Sequence, residues 1–240
     1  MALRSSNPVL SRTFQNEVDY NQLGSNKPMT IEGATSKTLG AVTVVTLAAA
    51  VSWFTGLGAA FWFPAMLLGL GLGMWQAFTK KINPAAILAY AAVQGFFIGG
   101  ISSLFESQYP GIVQNAVLAT LTTAVGMFFA YRMGWIKVTS RFKQIMTVAL
   151  FGYLGFSLIN LGFAVFTGSS AYTTGFGWLI ALFGVGLAAL TLSLDFDYIE
   201  YGVKEKLPSE FEWRAAFGLT ASLVWLYVEI LRLLSIFNRD

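Results

Sequence analysis

The sequence predicts an all-α membrane protein with seven transmembrane helices, and three observations lead to this fold class. Of the 240 residues, 55% are hydrophobic and only 11% are charged, whereas soluble domains carry about 25% charged residues. Apolar runs of about 20 residues recur along the chain, which is the length a helix needs to cross a bilayer. The basic residues lie in alternate connections between these runs. Together these features exclude a soluble globular domain.

The apolar runs define the predicted spans in order along the chain. They are Thr38–Leu57, Ala59–Phe78, Ala85–Phe105, Ile112–Tyr131, Gln144–Thr167, Thr174–Leu194 and Ala215–Phe237. Each run is apolar on all faces and about twice as long as a transmembrane β-strand of about 10 residues, so helices are predicted. Gly, Pro or charged residues mark most of the short links, as in the segments 80–84, 109–111 and 167–170.

The spans divide the chain into three regions. Residues 1–37 form a polar tail, residues 38–237 a seven-helix transmembrane domain, and residues 238–240 a short C-terminal segment. The tail has no hydrophobic core of the kind found in a cleavable signal peptide, so we expect it to be cytosolic and largely disordered or surface-bound. A partner-docking role for the tail is the alternative.

The distribution of Lys and Arg predicts the orientation in the membrane. The N-terminal tail and the second, fourth and sixth links hold 13 of the 15 basic residues, and the first, third and fifth links hold none. Positively charged links stay in the cytoplasm. We therefore expect a cytoplasmic N-terminus and an external C-terminus in a plasma or bacterial inner membrane, with the bilayer as the principal partner.

The amino-acid composition also excludes several classes of protein function. The chain contains neither Cys nor His, which excludes disulfides, thiol chemistry, thiolate metal sites and His-based catalysis. Every Lys lies in a tail or link, so no buried Lys is available for a retinal Schiff base. No Asp follows a Gly-x-Gly motif or lies in the last span, which argues against an intramembrane aspartyl protease. We predict no enzyme activity, no cofactor and no nucleic-acid partner.

The glycines fall mostly inside the spans, as in Gly69–Gly73, Gly95-x-x-x-Gly99 and Gly184–Gly186. No strand precedes these runs, so they do not fit a dinucleotide-binding motif. Small residues let helix backbones approach closely in lipid, and we interpret the glycines as helix-packing positions.

A few polar residues lie within or beside the predicted spans and are the candidate functional residues. An ionisable group in the hydrocarbon costs at least about 2.5–3.5 kcal/mol, so each one calls for an explanation. Glu229 and Arg232 lie in span seven at an i, i+3 spacing that favours an ion pair, and Asp195 and Asp197 lie at the end of span six. The neutral candidates, for pore lining or interhelical hydrogen bonds, are Gln94, Asn160 and Ser222.

Each of these residues has a structural and a functional interpretation. Asp197 can be part of a solvated helix end, and Glu229 with Arg232 a pair that only holds the helix in place. The functional interpretation makes Asp195 and Glu229 a gate that shares a proton, because low dielectric and a neighbouring carboxylate both favour a protonated carboxyl group. Carboxylates are also preferred Ca²⁺ ligands, so Asp195 is a candidate for contacting a transported Ca²⁺.

Four segments carry a resemblance to a known family: Tyr90–Gly99 in span three, Gly111–Thr120 opening span four, Asp195–Ile199 closing span six and Leu226–Leu234 in span seven. With this order and placement, the chain resembles the Bax inhibitor (transmembrane Bax inhibitor motif) family, in particular its bacterial branch with a long N-terminal tail. The resemblance implies a central helix surrounded by six others and a pH-sensitive Ca²⁺ leak. It also implies that acidic residues on helices six and seven set the closed and open states.

Asp195 matches the family's sixth-helix aspartate, but two other positions depart from the pattern. Ser222 stands where the family usually has its seventh-helix aspartate, and Gln94 stands where many members have glutamate. Two functions therefore remain open. The first is a cation leak with Asp195, Glu229 and Asp197 as proton-sensing groups and Arg232 as counter-ion to Glu229. The alternative is a non-conducting factor that binds and regulates a membrane protease, a respiratory assembly or another membrane complex.

Overall fold

The computed structural model describes residues 27–239, and within them seven long helices follow one another without a β-strand. The helices are α1 Ile31–Thr55, α2 Leu57–Phe78, α3 Pro84–Gln108, α4 Ile112–Arg132, α5 Ser140–Thr167, α6 Gly177–Lys204 and α7 Phe211–Phe237. A short 3₁₀ helix, Ala171–Thr173, lies between α5 and α6. All seven helices are long and apolar enough to cross a membrane. The predicted seven-span, all-α fold class is confirmed.

Several helices extend beyond the predicted spans. Helix α1 begins at Ile31 rather than Thr38, so residues 31–37 of the predicted tail are helical, and α6 continues past Leu194 to Lys204. The earlier start has a local cause, because the Thr30 hydroxyl accepts a hydrogen bond from the Gly33 N–H at 2.9 Å and caps α1. Hydropathy identifies only the part of a helix that lies in the hydrocarbon. The rest of the predicted tail, residues 1–26, lies outside the described residues.

The links alternate between the two ends of the helical bundle. Residues 27–30, 79–83, 133–139 and 205–210 lie at one end, which we call the basic face because it carries the Lys-rich links, including Lys80, Lys81 and Lys137. The other end, the opposite face, holds residue 56 and the links 109–111 and 168–176. Gly56 alone joins α1 to α2, and its positive φ of 70° is the conformation that favours glycine at a helix end.

Helix α7 is the central helix of the bundle. In its apolar 18-residue stretch 56% of the residues are buried, against 6% in α5. It packs directly against α1, α3, α4 and α6. Side chains reach the remaining two helices, because Arg214 Nη2 donates to the Thr79 carbonyl at the end of α2 and Tyr153 of α5 donates to Glu229. The resemblance implies one central helix surrounded by the others, and α7 is that helix.

The glycines of α3 allow close contact with two neighbouring helices. A Cβ atom on Gly95 or Gly99 would overlap the carbonyl oxygen of Val45 or Ala49 in α1, and one on Gly100 would overlap Gly58 in α2. The interpretation of Gly95 and Gly99 as packing residues is correct. These contacts fix α3 firmly between α1 and α2.

A network of polar contacts at the basic face, which we call the clasp, joins the start of α1 to the start of α7. The Met29 N–H donates to the Leu207 carbonyl at 2.7 Å. The buried Glu212 carboxylate accepts hydrogen bonds from the Thr30 N–H at 2.9 Å and from Lys37 Nζ at 2.6 Å. The central helix is therefore tied to α1 where it begins.

Candidate functional site

Asp195 lies on α6 at its interface with the central helix. Its Oδ2 accepts a hydrogen bond of 2.6 Å from the Ser222 hydroxyl of α7. A Cβ atom on Gly218, also in α7, would come within 2.7 Å of Asp195 Oδ1, so the absence of a side chain there makes room for the carboxyl group. Asp195 is only partly buried, whereas Ser222 is buried. The carboxyl group thus connects α6 to α7. Among the described residues no Lys or Arg forms an ion pair with it.

Asp195 also lines a polar cavity of about 310 Å³ in the half of the bundle near the basic face. Gln76 at the end of α2, Tyr198 of α6 and Arg214 of α7 line the same cavity. Gln76 Nε2 and the Tyr198 hydroxyl are buried and have no hydrogen-bond partner among the residues that the structure describes. Buried polar atoms facing a cavity of this size provide the partners that water requires. The cavity is therefore suited to hold water beside the Asp195 carboxyl group.

Glu229 belongs to a second polar cluster, in the half of the bundle near the opposite face. Its carboxylate accepts hydrogen bonds from Arg232 Nη1 at 2.8 and 2.9 Å, from the Tyr153 hydroxyl at 2.9 Å and from Trp225 Nε1 at 3.0 Å. Arg232 also donates to the Tyr172 hydroxyl at 3.2 Å, and its guanidinium lies 4.5 Å from the centre of the Tyr172 ring. The ion pair expected from the i, i+3 spacing is formed.

The structure does not bring the two predicted gate carboxyls together. Ser222, which holds Asp195, precedes Glu229 by two helical turns, or about 10 Å along α7. Among residues 27–239 no hydrogen bond joins Asp195 to Glu229. Direct proton sharing needs a hydrogen-bond distance near 3 Å. The physical reason for the separation is the two turns of α7 between Ser222 and Glu229, and Arg232, Tyr153 and Trp225 already occupy both oxygens of Glu229.

The remaining predicted site residues have separate partners. Asp197 forms an ion pair of 2.7 Å with Lys143 of α5, on a more exposed part of the surface. Gln94 Nε2 donates to the Tyr90 hydroxyl one turn earlier in α3. Asn160 Oδ1 accepts from the Ala171 N–H at 2.8 Å, so it holds the 3₁₀ helix at the opposite face.

Sequence reasoning missed five residues of these clusters. Arg214 counts there only as a link cation, and Tyr153, Tyr172, Trp225 and Gln76 are not distinguished as polar residues within or near apolar runs. The hydroxyl, indole and amide groups of the last four carry no charge, so hydropathy alone does not distinguish them from interface residues. A buried charge on a neighbouring helix, such as Glu229, is a signal that such partners exist.

The donor set near Asp195 limits how it can contact a metal ion. Among the described residues no cluster of three or more acidic side chains is present. Ca²⁺ takes six to eight oxygen ligands, and Asp195 with Ser222 offers at most three. A Ca²⁺ ion at this carboxyl group would therefore keep most of its water.

Comparison with known proteins gives one clear result. The model of the family described as Bax inhibitor 1 like matches residues 7–239. A search of curated proteins finds no match.

Proposed function

The chain belongs to the Bax inhibitor 1 like family, and we propose that it is a multi-pass membrane protein through which cations, Ca²⁺ in particular, leak under the control of pH. Asp195 is the proton-sensing group of this proposal. The observation that supports this role is the position of Asp195. Its carboxyl group joins α6 to the central helix through Ser222 and also faces the polar cavity. A change in its charge therefore acts on a helix interface and on a potential ion path together.

The mechanism follows from the two protonation states of this carboxyl group. The ionised form accepts a charge-assisted hydrogen bond from Ser222, and its negative charge offsets the positive charge of Arg214 in the cavity lining, which lowers the barrier to a hydrated cation. The protonated form loses that charge, and the contact between α6 and α7 weakens to a neutral hydrogen bond. Helix α7 packs against α1, α3, α4 and α6, and its side chains reach α5 and the end of α2. A shift at this interface therefore changes the packing of the whole bundle.

The other candidate residues take secondary roles in this proposal. Asp197 supplies negative charge near the cavity mouth, and its pairing with Lys143 keeps it outside the gate. Glu229 and Arg232 form an ion pair that anchors α7. The basic face is cytoplasmic, in a plasma or bacterial inner membrane, and the protein acts without a cofactor and without enzymatic chemistry.

Reconstituted liposomes test the proposal. Protein is inserted into vesicles that contain a Ca²⁺-sensitive dye, and Ca²⁺ entry is measured between pH 6 and pH 8 for the wild type, Asp195→Asn and Asp197→Asn. We expect wild-type flux to change several-fold over this range and the flux of Asp195→Asn to be the same throughout. Asp197→Asn is the matched control, two residues away, and should keep the pH dependence. A pH response that persists in Asp195→Asn would contradict the role of Asp195.

The second candidate function is a non-conducting factor that regulates another membrane complex. Two neutral residues favour it, because Ser222 and Gln94 stand where the resemblance leads one to expect carboxyl groups. Absence of Ca²⁺ flux from wild-type protein at every pH, with the helical content intact by circular dichroism, would favour this function over the leak.

A further inference from the structure

A groove runs along the bundle between α2 and α5. Helix α2 packs mainly against α3 and helix α5 mainly against α6, so a space remains between α2 and α5. Leu70 of α2 and Leu154 of α5 lie on its two walls, and Trp225 and Val228 of the central helix line it from below. Its volume is about 650 Å³, within the range of about 300–1,000 Å³ typical of small-molecule sites. We call this space the α2–α5 groove.

The α2–α5 groove has the length of one lipid chain. On α5 its lining extends from Thr147 to Ser157 and includes the apolar side chains of Leu150, Phe151 and Leu154. Phe151 and Leu154 are also exposed at the surface of the bundle, which faces the bilayer. Ten residues of a helix span about 15 Å, which is half of the hydrocarbon thickness of about 30 Å and thus the depth of one leaflet. The groove is therefore suited to an acyl chain that enters from the side.

The polar groups at the opposite-face end of the groove are already paired. Glu229 and Arg232 line the groove there and form an ion pair of 2.8 Å. Because their two charges are opposite, this end offers little net attraction to a charged lipid headgroup.

The basic-face end of the groove carries unpaired cations. Lys80 and Lys81 directly follow α2, and Arg141 is the second residue of α5. All three are exposed, and within residues 27–239 none of them forms an ion pair. Lys143, two residues further along α5, differs because it pairs with Asp197. This end therefore has an excess of positive charge at the level where lipid phosphates lie.

The end of α2 and the start of α5 lie beside the same turn of α6. Gln76 of α2 lines one cavity with Leu194 and Tyr198 of α6, and Lys143 of α5 lines a neighbouring cavity with the same two residues. Thr147 lines this second cavity and also the α2–α5 groove. The cations that follow α2 and the cation that begins α5 therefore flank the basic-face end of the groove.

We propose that the α2–α5 groove binds an anionic phospholipid of the basic-face leaflet, with its phosphate between Lys80, Lys81 and Arg141 and one acyl chain along α7. Basic clusters between transmembrane helices attract anionic headgroups. The groove accepts the chain of any phospholipid, and the unpaired cations at its basic-face end select a lipid with a net negative charge. This binding does not depend on the proposed cation leak.

Native mass spectrometry tests the proposal on the full chain released from nanodiscs. The nanodiscs contain equal amounts of phosphatidylglycerol and phosphatidylcholine with the same acyl chains. We expect the protein to retain one phosphatidylglycerol molecule, in several-fold excess over phosphatidylcholine. Equal retention of the two lipids by the wild type would overturn the proposal.

Two triple variants separate a site from general attraction to the basic face. Each removes three exposed cations, so the loss of charge is the same. The test variant should lose the preference for phosphatidylglycerol, and the control variant, whose cations lie at the end of α4 and at or after the end of α6, should keep it. The test variant combines Lys80→Gln, Lys81→Gln and Arg141→Gln, and the control combines Arg132→Gln, Lys204→Gln and Lys206→Gln. An equal loss of preference in both would overturn the proposal.

A second pair of variants locates the acyl chain. Leu154→Trp fills the groove and should reduce the retained lipid several-fold. Ile159→Trp changes an exposed residue of α5 that does not line the groove and should not reduce it. Unchanged retention in Leu154→Trp, with the helical content intact by circular dichroism, would contradict the proposal. Loss of lipid in Leu154→Trp with the preference intact in the test triple variant would place the headgroup at the opposite face and would also contradict it.

Discussion

Two carboxyl groups, Glu229 within predicted span seven and Asp195 directly after predicted span six, have contrasting surroundings. Glu229 is 2% exposed, and a guanidinium, a tyrosine hydroxyl and an indole N–H satisfy its oxygens. Asp195 has one hydroxyl partner and a polar cavity beside it. A fully paired carboxylate is held in place by its partners and serves structure, whereas a sparsely paired one is free to exchange partners. The difference in partners, rather than depth alone, separates the two roles.

The anchoring role of Glu229 predicts that Glu229→Gln destabilises the protein. The substitution removes the charge that neutralises Arg232, and breaking a buried pair costs about 3–5 kcal/mol. Because the Arg232 side chain is 30% exposed, we expect a smaller loss of about 1–3 kcal/mol in the free energy of unfolding. Thermal unfolding in detergent should show a lower Tm.

Two further variants control this prediction. Asp197→Asn breaks an ion pair whose Lys143 side chain is 55% exposed, so it should cost less than about 1 kcal/mol. The double variant Glu229→Gln with Arg232→Met removes the unpaired cation as well and should recover much of the loss. Equal Tm values for Glu229→Gln and Asp197→Asn would show that the buried cluster does not anchor α7.

The individual site residues show how far sequence reasoning reaches. The spacing of Glu229 and Arg232 was sufficient to predict their ion pair, because both partners lie on one helix. The partners of Asp195 and Glu229 on other helices were not predictable in the same way, since contacts such as Tyr153 with Glu229 depend on the rotation and depth of each helix. Hydropathy fixes neither of these quantities.

At the scale of the helices, small residues determine which elements touch. The predicted spans identified all seven helices, but the ends of α1 and α6 were misplaced because polar residues continue a helix beyond the hydrocarbon. The Gly95-x-x-x-Gly99 spacing predicted a packing face without naming its partner. That partner is α1, where the backbone at Val45 and Ala49 fits against the bare glycines.

This contact predicts opposite effects for two Gly→Ala substitutions. At Gly95 a methyl group would overlap the Val45 carbonyl oxygen and lie 2.8 Å from the Ala48 Cβ, so α1 and α3 must separate, at a cost of about 1–3 kcal/mol. At Gly126 in α4 no atom of the described residues, apart from the backbone of its own helix, lies within 4 Å of the added methyl group, and the higher helix propensity of Ala contributes up to about 1 kcal/mol of stability. We expect a lower Tm for Gly95→Ala only. A similar decrease for both would indicate a general intolerance of these helices to Ala.

At the scale of the whole molecule, the bundle is organised around α7 and differs between its two ends. The clasp ties α7 to α1 at the basic face, and the Glu229–Arg232 cluster ties it to α5 and the 3₁₀ helix near the opposite face. Asp195 lies between these two anchors, in contact with the central helix through Ser222. The proposed gate therefore lies between the two ends at which α7 is anchored.

The asymmetry of charge predicts which end faces the cytoplasm. Thirteen of the 15 basic residues belong to the tail or to the connections at the basic face, and positive links are retained in the cytoplasm. The chain has no Cys, so single cysteines introduced at Ser169, Lys81 and Lys137 report their own accessibility. In intact cells a membrane-impermeant maleimide should label Ser169→Cys and should label Lys81→Cys and Lys137→Cys only after the membrane is permeabilised. Labelling of the two lysine sites in intact cells, with Ser169→Cys protected, would reverse the orientation and place the Asp195 cavity on the external side. Labelling of only one of the two lysine sites would contradict the alternation of links on which the basic face is defined.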